Sequence, residues 1–316
     1  MRDLLIVASG GGHSGFAKAV ADYLPFKPDF VIPTGDSYSW KLLEPLANKI
    51  WELPKPREPL ESDLHAIYKG VESLVQSSLL PKYKVILATG SNHSLLPSFF
   101  GYLKGSKVFA IESQDRIFTR GKAIRIISAF AKGVFLHWEE QRSLYKNGVV
   151  VGPILQRPRY VPKDEGYVFV TAGTEGFQRL FDVLAKLKLP NVILQTGKVN
   201  PERYKGLGWK VFDFDPDMEK YLANASLVIT HQGKTAMEAS ILYNKSVIMV
   251  FNRSLVRATT FSDAKAYAEI IGATFMDDPN TWASEVELLN SINSPRRPKT
   301  HKPGTERLVQ VILNNL

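Results

Sequence analysis

The sequence predicts an α/β protein built of two doubly wound, Rossmann-like domains that face a cleft. Three observations support this fold class. The chain has 316 residues, which is more than one domain of ordinary size contains. Short apolar runs alternate with helix-like stretches, as is typical of βαβ units around a parallel sheet. This alternation starts afresh at Tyr167, after a stretch with three prolines at 152–166 that we interpret as the linker.

Twelve apolar runs are predicted strands, and several are apolar throughout, as expected for strands covered on both faces. They are residues 4–8, 30–33, 85–88, 108–111, 133–137 and 148–151 in the first half, and 167–171, 192–195, 210–212, 227–230, 246–251 and 274–276 in the second. Helices are predicted at 15–24, 63–79, 179–186, 218–223, 235–243, 262–271 and 305–316. We therefore expect domains at 1–157 and 158–316, with the last helix free to pack back onto the first domain.

Composition excludes several classes of protein. The chain has no cysteine, which excludes disulfides and thiolate–metal sites. The apolar run at 4–8 is too short for a signal peptide, and no stretch reaches the roughly 20 apolar residues of a spanning helix. Residues 1–160 hold 21 Lys and Arg against 14 Asp and Glu. This basic half favours an anionic partner such as a membrane, a diphosphate or a nucleic acid, or else is only a solvated lysine-rich surface.

A glycine-rich loop, Ser9-Gly10-Gly11-Gly12-His13-Ser14-Gly15, follows the first predicted strand. Glycines let the backbone approach a ligand closely, and the helix start after them favours negative charge. The loop is neither the dinucleotide fingerprint nor a P-loop. His13 at the helix start is a candidate general base near neutral pH. The alternative is a polar residue that only bonds the backbone there.

Two further features of the first half follow strands. The loop Thr89-Gly90-Ser91-Asn92-His93 lies at the same predicted sheet edge, so the two loops together predict a lined pocket. Glu112 closes the strand at 108–111. This carboxylate is placed for acid–base or substrate-orienting work, and a helix cap or a salt bridge is an equal alternative.

In the second half, Thr171-Ala172-Gly173-Thr174 mirrors the first loop, and Thr174 with nearby amides could hold a phosphate. The loop from Thr230 to Ala239 (THQGKTAMEA) enters a predicted helix at Thr235. A diphosphate suits that helix start, and Glu238 one turn later could accept both hydroxyls of a ribose. Thr-x-x-Glu is also a capping box, which requires no ligand.

Asp213-Phe214-Asp215 suggests a metal site at first sight. Alternate residues of an extended segment point to opposite faces, so we interpret the pair as a loop feature and expect no metal.

With these motifs in this order, the chain resembles the MurG-like superfamily of GT-B glycosyltransferases. Residues 1–157 resemble the acceptor-binding, membrane-associated subunit of the eukaryotic enzyme that adds the second N-acetylglucosamine to dolichol diphosphate. The matching pieces are GGGHSG, ATGSNHS and FAIESQDRIFTRGKAIRIISAFAKGVFLHW. Residues 167–275 resemble its catalytic, donor-binding subunit through YVFVTAGTEGFQRLFDVL, FDPDMEKYLANASLVITHQGKTAMEA and KSVIMVFN. Both parts lie on one polypeptide, as in archaeal relatives.

The resemblance implies a GT-B fold, a UDP-sugar donor, inversion at the anomeric carbon, and neither a metal nor another cofactor. It makes His13 and Glu112 the catalytic candidates and leaves open which is the base. The implied donor-binding residues are Gly173, Thr174, Phe214, Asp215, Met218, His231, Gln232, Gly233, Lys234, Thr235, Glu238 and Asp263. The implied acceptor-binding residues are Gly11, Gly12, Ser14, Gly90, Ser91 and Asn92.

Two departures from the family pattern concern the donor. The loop from His231 to Glu238 is one residue shorter than the common form. The family's Asp-Asn-x-Gln run, which grips the donor sugar, is replaced by Phe261-Ser262-Asp263-Ala264-Lys265. Asp263 is the candidate hydroxyl-binding group in its place, and N-acetylglucosamine remains the expected sugar.

The acceptor implies a membrane surface, and two stretches of the first domain suit one. Residues 94–107 are rich in apolar side chains, and residues 116–132 combine five basic residues with apolar ones at helical spacing. The candidate membrane residues are Leu95, Phe99, Phe100, Phe118, Arg120, Lys122 and Arg125. A core helix with a basic outer face is the alternative. We expect peripheral attachment to the cytoplasmic face of the cell membrane.

The predicted function is inverting transfer of N-acetylglucosamine from its UDP-sugar to a sugar on polyprenyl or dolichyl diphosphate, as the second, β-1,4-linked residue of an N-glycan precursor. The alternatives are a transferase of polysaccharide or peptidoglycan-type precursors, a sugar-nucleotide epimerase of the same architecture, and an inactive binding partner. A nucleic-acid-binding protein is disfavoured, because the basic residues are spread over many elements without an arginine–aromatic platform.

Overall fold

The computed structural model describes residues 2–55, 63–256 and 258–316, with residues 63–68 described by their backbone alone. The chain divides into two compact units. Unit 1 comprises Met1–Gln114, Phe118–Arg157 and Pro303–Leu316, and unit 2 comprises Asp115–Ile117 and Pro158–Lys302.

Unit 1 is built on seven parallel strands in the order β3-β2-β1-β4-β5-β6-β7. The strands are β1 (Arg2–Val7), β2 (Asp29–Pro33), β3 (Lys49–Leu53), β4 (Tyr83–Ala88), β5 (Lys107–Ile111), β6 (Gly133–Leu136) and β7 (Gly148–Val150). In the central register, Val7 pairs with Val31 on one side and with Ala88 on the other. These fully buried residues lie at the heart of the unit's core, so the ends of β1 and β4 are held rigidly side by side.

Among the described residues of unit 1, the α-helices are α1 (Gly12–Ala21), α2 (Ser37–Leu43), α3 (Asp63–Leu79), α4 (Leu95–Leu103), α5 (Lys122–Ile127) and α11 (Thr305–Leu313). The start of α11 is tied to the segment after β7. Leu155 donates its amide to the Thr305 hydroxyl at 2.8 Å, and that hydroxyl donates to the Leu155 carbonyl at 2.6 Å. The final helix thus packs within unit 1.

Unit 2 has six parallel strands in the order β10-β9-β8-β11-β12-β13. The strands are β8 (Val168–Thr171), β9 (Val192–Gln195), β10 (Lys210–Phe212), β11 (Leu227–His231), β12 (Ser246–Val250) and β13 (Thr274–Met276). The helices are α6 (Gln178–Leu187), α7 (Glu219–Asn224), α8 (Lys234–Met237), α9 (Phe261–Ile271) and α10 (Val286–Asn293), and a π-helical turn, Glu238–Leu242, continues α8.

Both sheets confirm the predicted class of two Rossmann-like domains. In each, the strand order reverses beside the first strand, between β1 and β4 in unit 1 and between β8 and β11 in unit 2. Ligands of such sheets bind outside the carboxyl ends of the strands at this reversal. The loops after these four strands are therefore where a site is expected in each unit.

The sequence-based prediction was wrong for several elements. It missed β3, α2, α4 and α10. Strand β3 lies at the sheet edge, and its residues Lys-Ile-Trp-Glu-Leu carry charges that suit an edge strand but hide the apolar signal. The helix predicted at 235–243 begins one residue earlier and changes to π-helical geometry at Glu238. Within 116–132, only Lys122–Ile127 is α-helical.

Candidate functional site

The imidazole of His13 spans the strand reversal of unit 1. His13 lies in the first turn of α1, directly after β1, and its Nδ1 is 2.7 Å from the carbonyl oxygen of Thr89, which follows β4. A carbonyl oxygen only accepts hydrogen bonds, so Nδ1 carries the proton in the neutral ring. The lone pair is then on Nε2. The fold thereby sets the tautomer that presents Nε2 as a proton acceptor.

Gly90 makes this arrangement possible. Its φ of +124° is in the region that favours glycine, and a Cβ at this position would lie 2.4 Å from Cε1 of His13. The residue is buried. Gly90 therefore supports the imidazole rather than offering a surface to a ligand, which corrects its assignment as an acceptor-binding residue.

Burial lowers the pKa of His13 below its ordinary value of 6.5, and the nearby charge of Lys55 adds to this, while the bond to the Thr89 carbonyl opposes it. His13 is therefore neutral at pH 7. Protonation removes the Nε2 lone pair, so activity that depends on it is lost as the pH falls through this lowered pKa.

We expect the acid limb of the kcat/KM profile to lie below pH 6.5, with a plateau above it. The measurement is initial rate against pH at low substrate concentration. An acid limb centred above 6.5 would contradict a neutral His13 acting as the base.

A hydrogen-bonded network of small polar side chains supports the glycine-rich loop. Ser14 is buried, accepts a bond from the Gly10 amide at 3.1 Å, and lies 2.6 Å from the Ser39 hydroxyl. Ser39 donates in turn to Asp36 at 2.6 Å. Ser14 thus holds the loop in shape, which corrects its assignment as an acceptor contact.

The exposed part of this sheet edge consists of backbone and short side chains. Gly11, Gly12 and Asn92 are exposed, and Ser91 is half-buried with a φ of +60° and accepts a bond from the His93 amide. These four of the six predicted acceptor-binding residues remain accessible to a ligand.

Lys55 is a residue of this edge that the sequence analysis missed. It follows β3, and its Nζ would lie 3.8 Å from a Cβ placed on Gly10. The sequence could not indicate Lys55 as a site residue, because a lysine can be assigned to the end of a strand only once the strand itself is recognised.

Glu112 is held as a structural carboxylate. It is 1% exposed and accepts bonds from the Ser113 amide at 2.7 Å, the Gly121 amide at 2.9 Å and the Tyr145 hydroxyl. Gly121 is the N-cap of α5, so one side chain ties the end of β5 to the start of that helix. These contacts favour the structural alternative over an acid–base role.

In unit 2, the ring of His231 lies between the two loops at the strand reversal. His231 ends β11, and its Nε2 would be 3.5 Å from a Cβ on Gly173 and 3.0 Å from one on Gly233. Burial lowers its pKa to about 4, so the ring is neutral at pH 7. Its buried Nδ1 has no hydrogen-bond partner in the part of the chain that the structure describes.

The loop after β8 is braced by its neighbours. Gly173 has a φ of +67° and donates its amide to the Thr171 hydroxyl at 3.3 Å. Thr174 is half-buried, and its carbonyl accepts the Lys198 amide at 2.9 Å. The Thr174 side chain therefore stands on a fixed turn at the sheet edge.

The capping-box interpretation of Thr235 and Glu238 is wrong. The N-cap of α8 is Gly233, which has an extended backbone and makes no side-chain cap bond, and Thr235 is already inside the helix. Glu238 instead accepts a bond from Lys234, and both side chains are buried. The carboxylate thus lies one turn into the helix, beside a cation.

Gln232 and Asp263 are more deeply engaged than the resemblance implies. The Gln232 side chain donates to the Asn252 carbonyl at 3.1 Å and accepts the Asn252 amide at 2.8 Å, which joins the loops after β11 and β12. Asp263 is fully buried in the first turn of α9 and accepts a bond from Thr260 at 2.7 Å. The structure therefore contradicts a direct sugar contact by Asp263, because none of its surface is accessible.

The segment after β10 holds the remaining donor candidates. Phe214 and Met218 are half-buried. Asp215 accepts bonds from Lys220 at 2.7 Å, from the Asp217 amide at 2.8 Å and from Tyr221 at 3.1 Å. Burial alone would raise the pKa of Asp215, but these bonds lower it below its ordinary value. Its carboxylate shapes the loop.

Three adjacent helices of unit 1 expose apolar side chains. On α4, Phe99 is 43% exposed, and on α3 a stripe that the sequence analysis missed repeats at helical spacing. The set, hereafter the apolar patch, is Val71, Leu74, Val75 and Leu79 on α3, Phe99, Tyr102 and Leu103 on α4, and Ile126 on α5. Helix α4 packs between α3 and α5.

The other predicted membrane residues divide into two groups. Phe118 is 64% exposed, and Arg120, Lys122 and Arg125 are also exposed. Leu95 and Phe100 are half-buried, and Leu95 packs against the core of unit 1, so their contact with a membrane stays a prediction. No helix among the described residues is long and apolar enough to cross a membrane.

Comparison with known proteins identifies one of the two units. Residues 167–287 match the model of the glycosyltransferase family 28 C-terminal domain. This part of the chain is similar to that domain, and residues 167–287 are called the family 28 domain below. No curated protein sequence matches the chain. The family 28 domain contains β8 to β13, with the His231 and Gly173 loops at its strand reversal.

Solved structures share the fold over nearly the whole chain. MurG of Acinetobacter baumannii has a TM-score of 0.67 at 17% identity, over 99% of this chain and 100% of that one. The UDP-GlcNAc 2-epimerase of Methanocaldococcus jannaschii, in complex with UDP-GlcNAc and UDP, has 0.63 at 14%, over 98% and 99%. The glycotransferase of kitacinnamycin has 0.59 at 12%, over 100% and 95%. At these identities the likeness shows the fold alone.

Proposed function

We propose that the protein is an inverting glycosyltransferase that moves N-acetylglucosamine from UDP-N-acetylglucosamine to a sugar on a polyprenyl or dolichyl diphosphate. The observation that carries the proposal is the His13 tautomer in a chain whose second unit is a family 28 domain. Such a transfer needs a base for an acceptor hydroxyl, and His13 has a neutral ring with its lone pair on Nε2. The proposed product is β-1,4-linked, as the second N-acetylglucosamine of an N-glycan precursor.

In the proposed reaction, Nε2 of His13 takes the proton of the acceptor hydroxyl. The hydroxyl oxygen forms a bond to the anomeric carbon, and the bond from that carbon to the UDP oxygen breaks, so UDP leaves with the bonding pair. Attack from the face opposite UDP inverts the configuration. Glu112 is not the base in this proposal, because its bonds to the Ser113 amide, the Gly121 amide and the Tyr145 hydroxyl give it a structural role.

The donor is assigned to the family 28 domain. Three features at the carboxyl ends of β8 and β11 suit a nucleoside diphosphate: Gly173 and Thr174 on a braced turn, the His231–Gly233 loop, and Glu238 behind it. Phe214 and Met218 are half-buried apolar side chains that suit a base. Thr235 is half-buried beside the loop and suits a phosphate oxygen.

The test is release of UDP from a panel of UDP-sugars, with and without a short synthetic lipid-diphosphate N-acetylglucosamine. We expect release only when the lipid acceptor is present, and fastest release from UDP-N-acetylglucosamine. Solved structures that share this fold include UDP-GlcNAc 2-epimerases, and epimerisation consumes no acceptor. Acceptor-independent conversion of UDP-N-acetylglucosamine would replace the transferase proposal with an epimerase.

A lipid acceptor also implies contact with a membrane, and we assign this contact to the apolar patch and its basic neighbours Arg120, Lys122 and Arg125. Apolar side chains can enter the interface while each basic residue near an anionic surface contributes about 1 kcal/mol. Attachment of this kind is reversible and weakens as salt rises. The proposed location is the cytoplasmic face of the cell membrane.

We expect the double substitution Val75→Asp and Leu79→Asp to lower binding to vesicles containing phosphatidylserine by on the order of tenfold or more, because it places two charges among the patch residues. Co-sedimentation measures the effect. The control is Val161→Asp, which changes a valine that is 77% exposed in unit 2. Absence of wild-type binding at both low and moderate salt would contradict membrane attachment.

A further inference from the structure

The family 28 domain contains a buried ion pair directly behind its β11 loop. Nζ of Lys234 donates to Oε1 of Glu238, four residues later, and each residue is 6% exposed. Lysine and glutamate are almost never buried so deeply unless they are paired. A buried pair of this kind rarely stabilises a fold more than apolar side chains of similar volume would. Its presence at the strand reversal therefore calls for a reason other than stability.

The backbone on both sides of the pair is held in place. Before it, the Gly233 carbonyl accepts a bond from the hydroxyl of Tyr267 at 3.0 Å, and Tyr267 is fully buried in α9. After it, the helix changes to π geometry at Glu238, whose carbonyl accepts the Tyr243 amide at 3.3 Å. Single π-helical turns inside helices occur frequently at functional sites. The Lys234 and Glu238 backbones are thus fixed where a wide turn begins.

The two oxygens of the carboxylate have different surroundings. Oε1 accepts the bond from Lys234, and Oε2 takes no part in that bond. A carboxylate at this depth is costly as an anion unless a cation lies beside it. As an anion it only accepts hydrogen bonds, and so it can serve two hydroxyls at once. A neutral carboxylic acid has one oxygen that must donate and is less suited to a diol.

We propose that Lys234 is a positioning residue whose charge holds the Glu238 carboxylate in the orientation that accepts both vicinal hydroxyls of the donor's ribose. This inference rests on the proposed function, since it takes the donor to be a uridine diphosphate sugar. Lys234 acts through Glu238 and touches no reacting atom. Selectivity for a ribonucleotide over a 2′-deoxyribonucleotide then depends on a lysine that does not contact the sugar.

The test is calorimetric titration of the full chain with UDP and with 2′-deoxy-UDP. We expect the wild-type protein to bind UDP more tightly by on the order of 10- to 100-fold, the value of one hydrogen bond to a charged group. Glu238→Ala should lose this preference, Lys234→Met should lose it nearly as completely, and Lys234→Arg should keep most of it because the cation is retained.

Two variants separate selectivity from folding. If Lys234→Met fails to fold, Lys234→Gln can still donate to Glu238 while lacking the charge, and it should also lose the preference. Lys186→Met is the matched control, because Lys186 is 67% exposed on α6 and pairs with Glu285. It should keep the wild-type preference.

The outcomes separate this inference from the proposed function. Wild-type preference for UDP in folded Lys234→Met or Lys234→Gln would overturn the role of Lys234 and leave the UDP-sugar donor standing. Equal wild-type binding of the two nucleotides would overturn the diol contact. Absence of UDP binding by the wild-type protein would overturn both the inference and the assigned donor.

Discussion

Replacing His13 with alanine is expected to lower turnover by about 10²- to 10⁴-fold, the usual contribution of a positioned general base. In the wild-type protein, Nδ1 donates to the Thr89 carbonyl, so Nε2 keeps its lone pair and can accept a proton. The variant lacks this atom. The donor is assigned to the other unit, so the KM for the UDP-sugar should change little. The measurement is steady-state UDP release with saturating lipid acceptor, compared as kcat and KM separately.

A second histidine serves as the control for this substitution. His301 in unit 2 also contacts a backbone carbonyl, with its Nε2 2.8 Å from the oxygen of Ile270, but it lies outside both strand reversals. His301→Ala should keep wild-type turnover. If His13→Ala were as active as the wild-type protein, His13 would have no role as the base.

Replacing Glu112 with alanine is expected to lower the free energy of unfolding by about 3 kcal/mol or more. The substitution leaves the Ser113 amide, the Gly121 amide and the buried Tyr145 hydroxyl without their acceptor, and each buried unsatisfied donor costs about 1–3 kcal/mol. Urea unfolding measures the effect. Glu139→Ala is the control, because this exposed glutamate pairs with Arg142 on the surface. The unfolding midpoint of this variant should match that of the wild-type protein.

Glu112→Gln separates the structural role from a catalytic one. The amide keeps an oxygen that can accept the Tyr145 hydroxyl or a backbone amide, but it cannot take up a proton at neutral pH. We expect turnover close to that of the wild-type protein. A loss as large as the one expected for His13→Ala would make Glu112 the base and contradict its structural assignment.

Local patterns predicted most of the fold, because the strands of unit 2 are continuous apolar runs between recognisable turns. Strand β3 was not predicted, because it lies at the sheet edge and its charged residues interrupt the apolar run. The strand reversals follow from strand order, which no local pattern contains. Once the order is known, the Gly10 and Gly173 loops lie where Rossmann-like sheets bind ligands.

The sequence predicted which residues lie at the site better than it predicted what each of them does. His13 at a helix start was visible in the sequence, but its tautomer depends on Thr89, 76 residues away. Glu112 looked equally suited to catalysis and to capping, and the decision rests on Tyr145, 33 residues away. The spacing of Lys234 and Glu238 was readable as a helical pair, whereas their burial is a property of the folded unit.

The most direct test of the central claim is the product of the wild-type protein. A lipid-diphosphate N-acetylglucosamine incubated with UDP-N-acetylglucosamine is analysed by mass spectrometry, and the new linkage is assigned by NMR. The account predicts an acceptor heavier by one N-acetylhexosamine, joined in the β configuration. An α linkage, or an unchanged acceptor while UDP-N-acetylglucosamine is consumed, would contradict an inverting transferase.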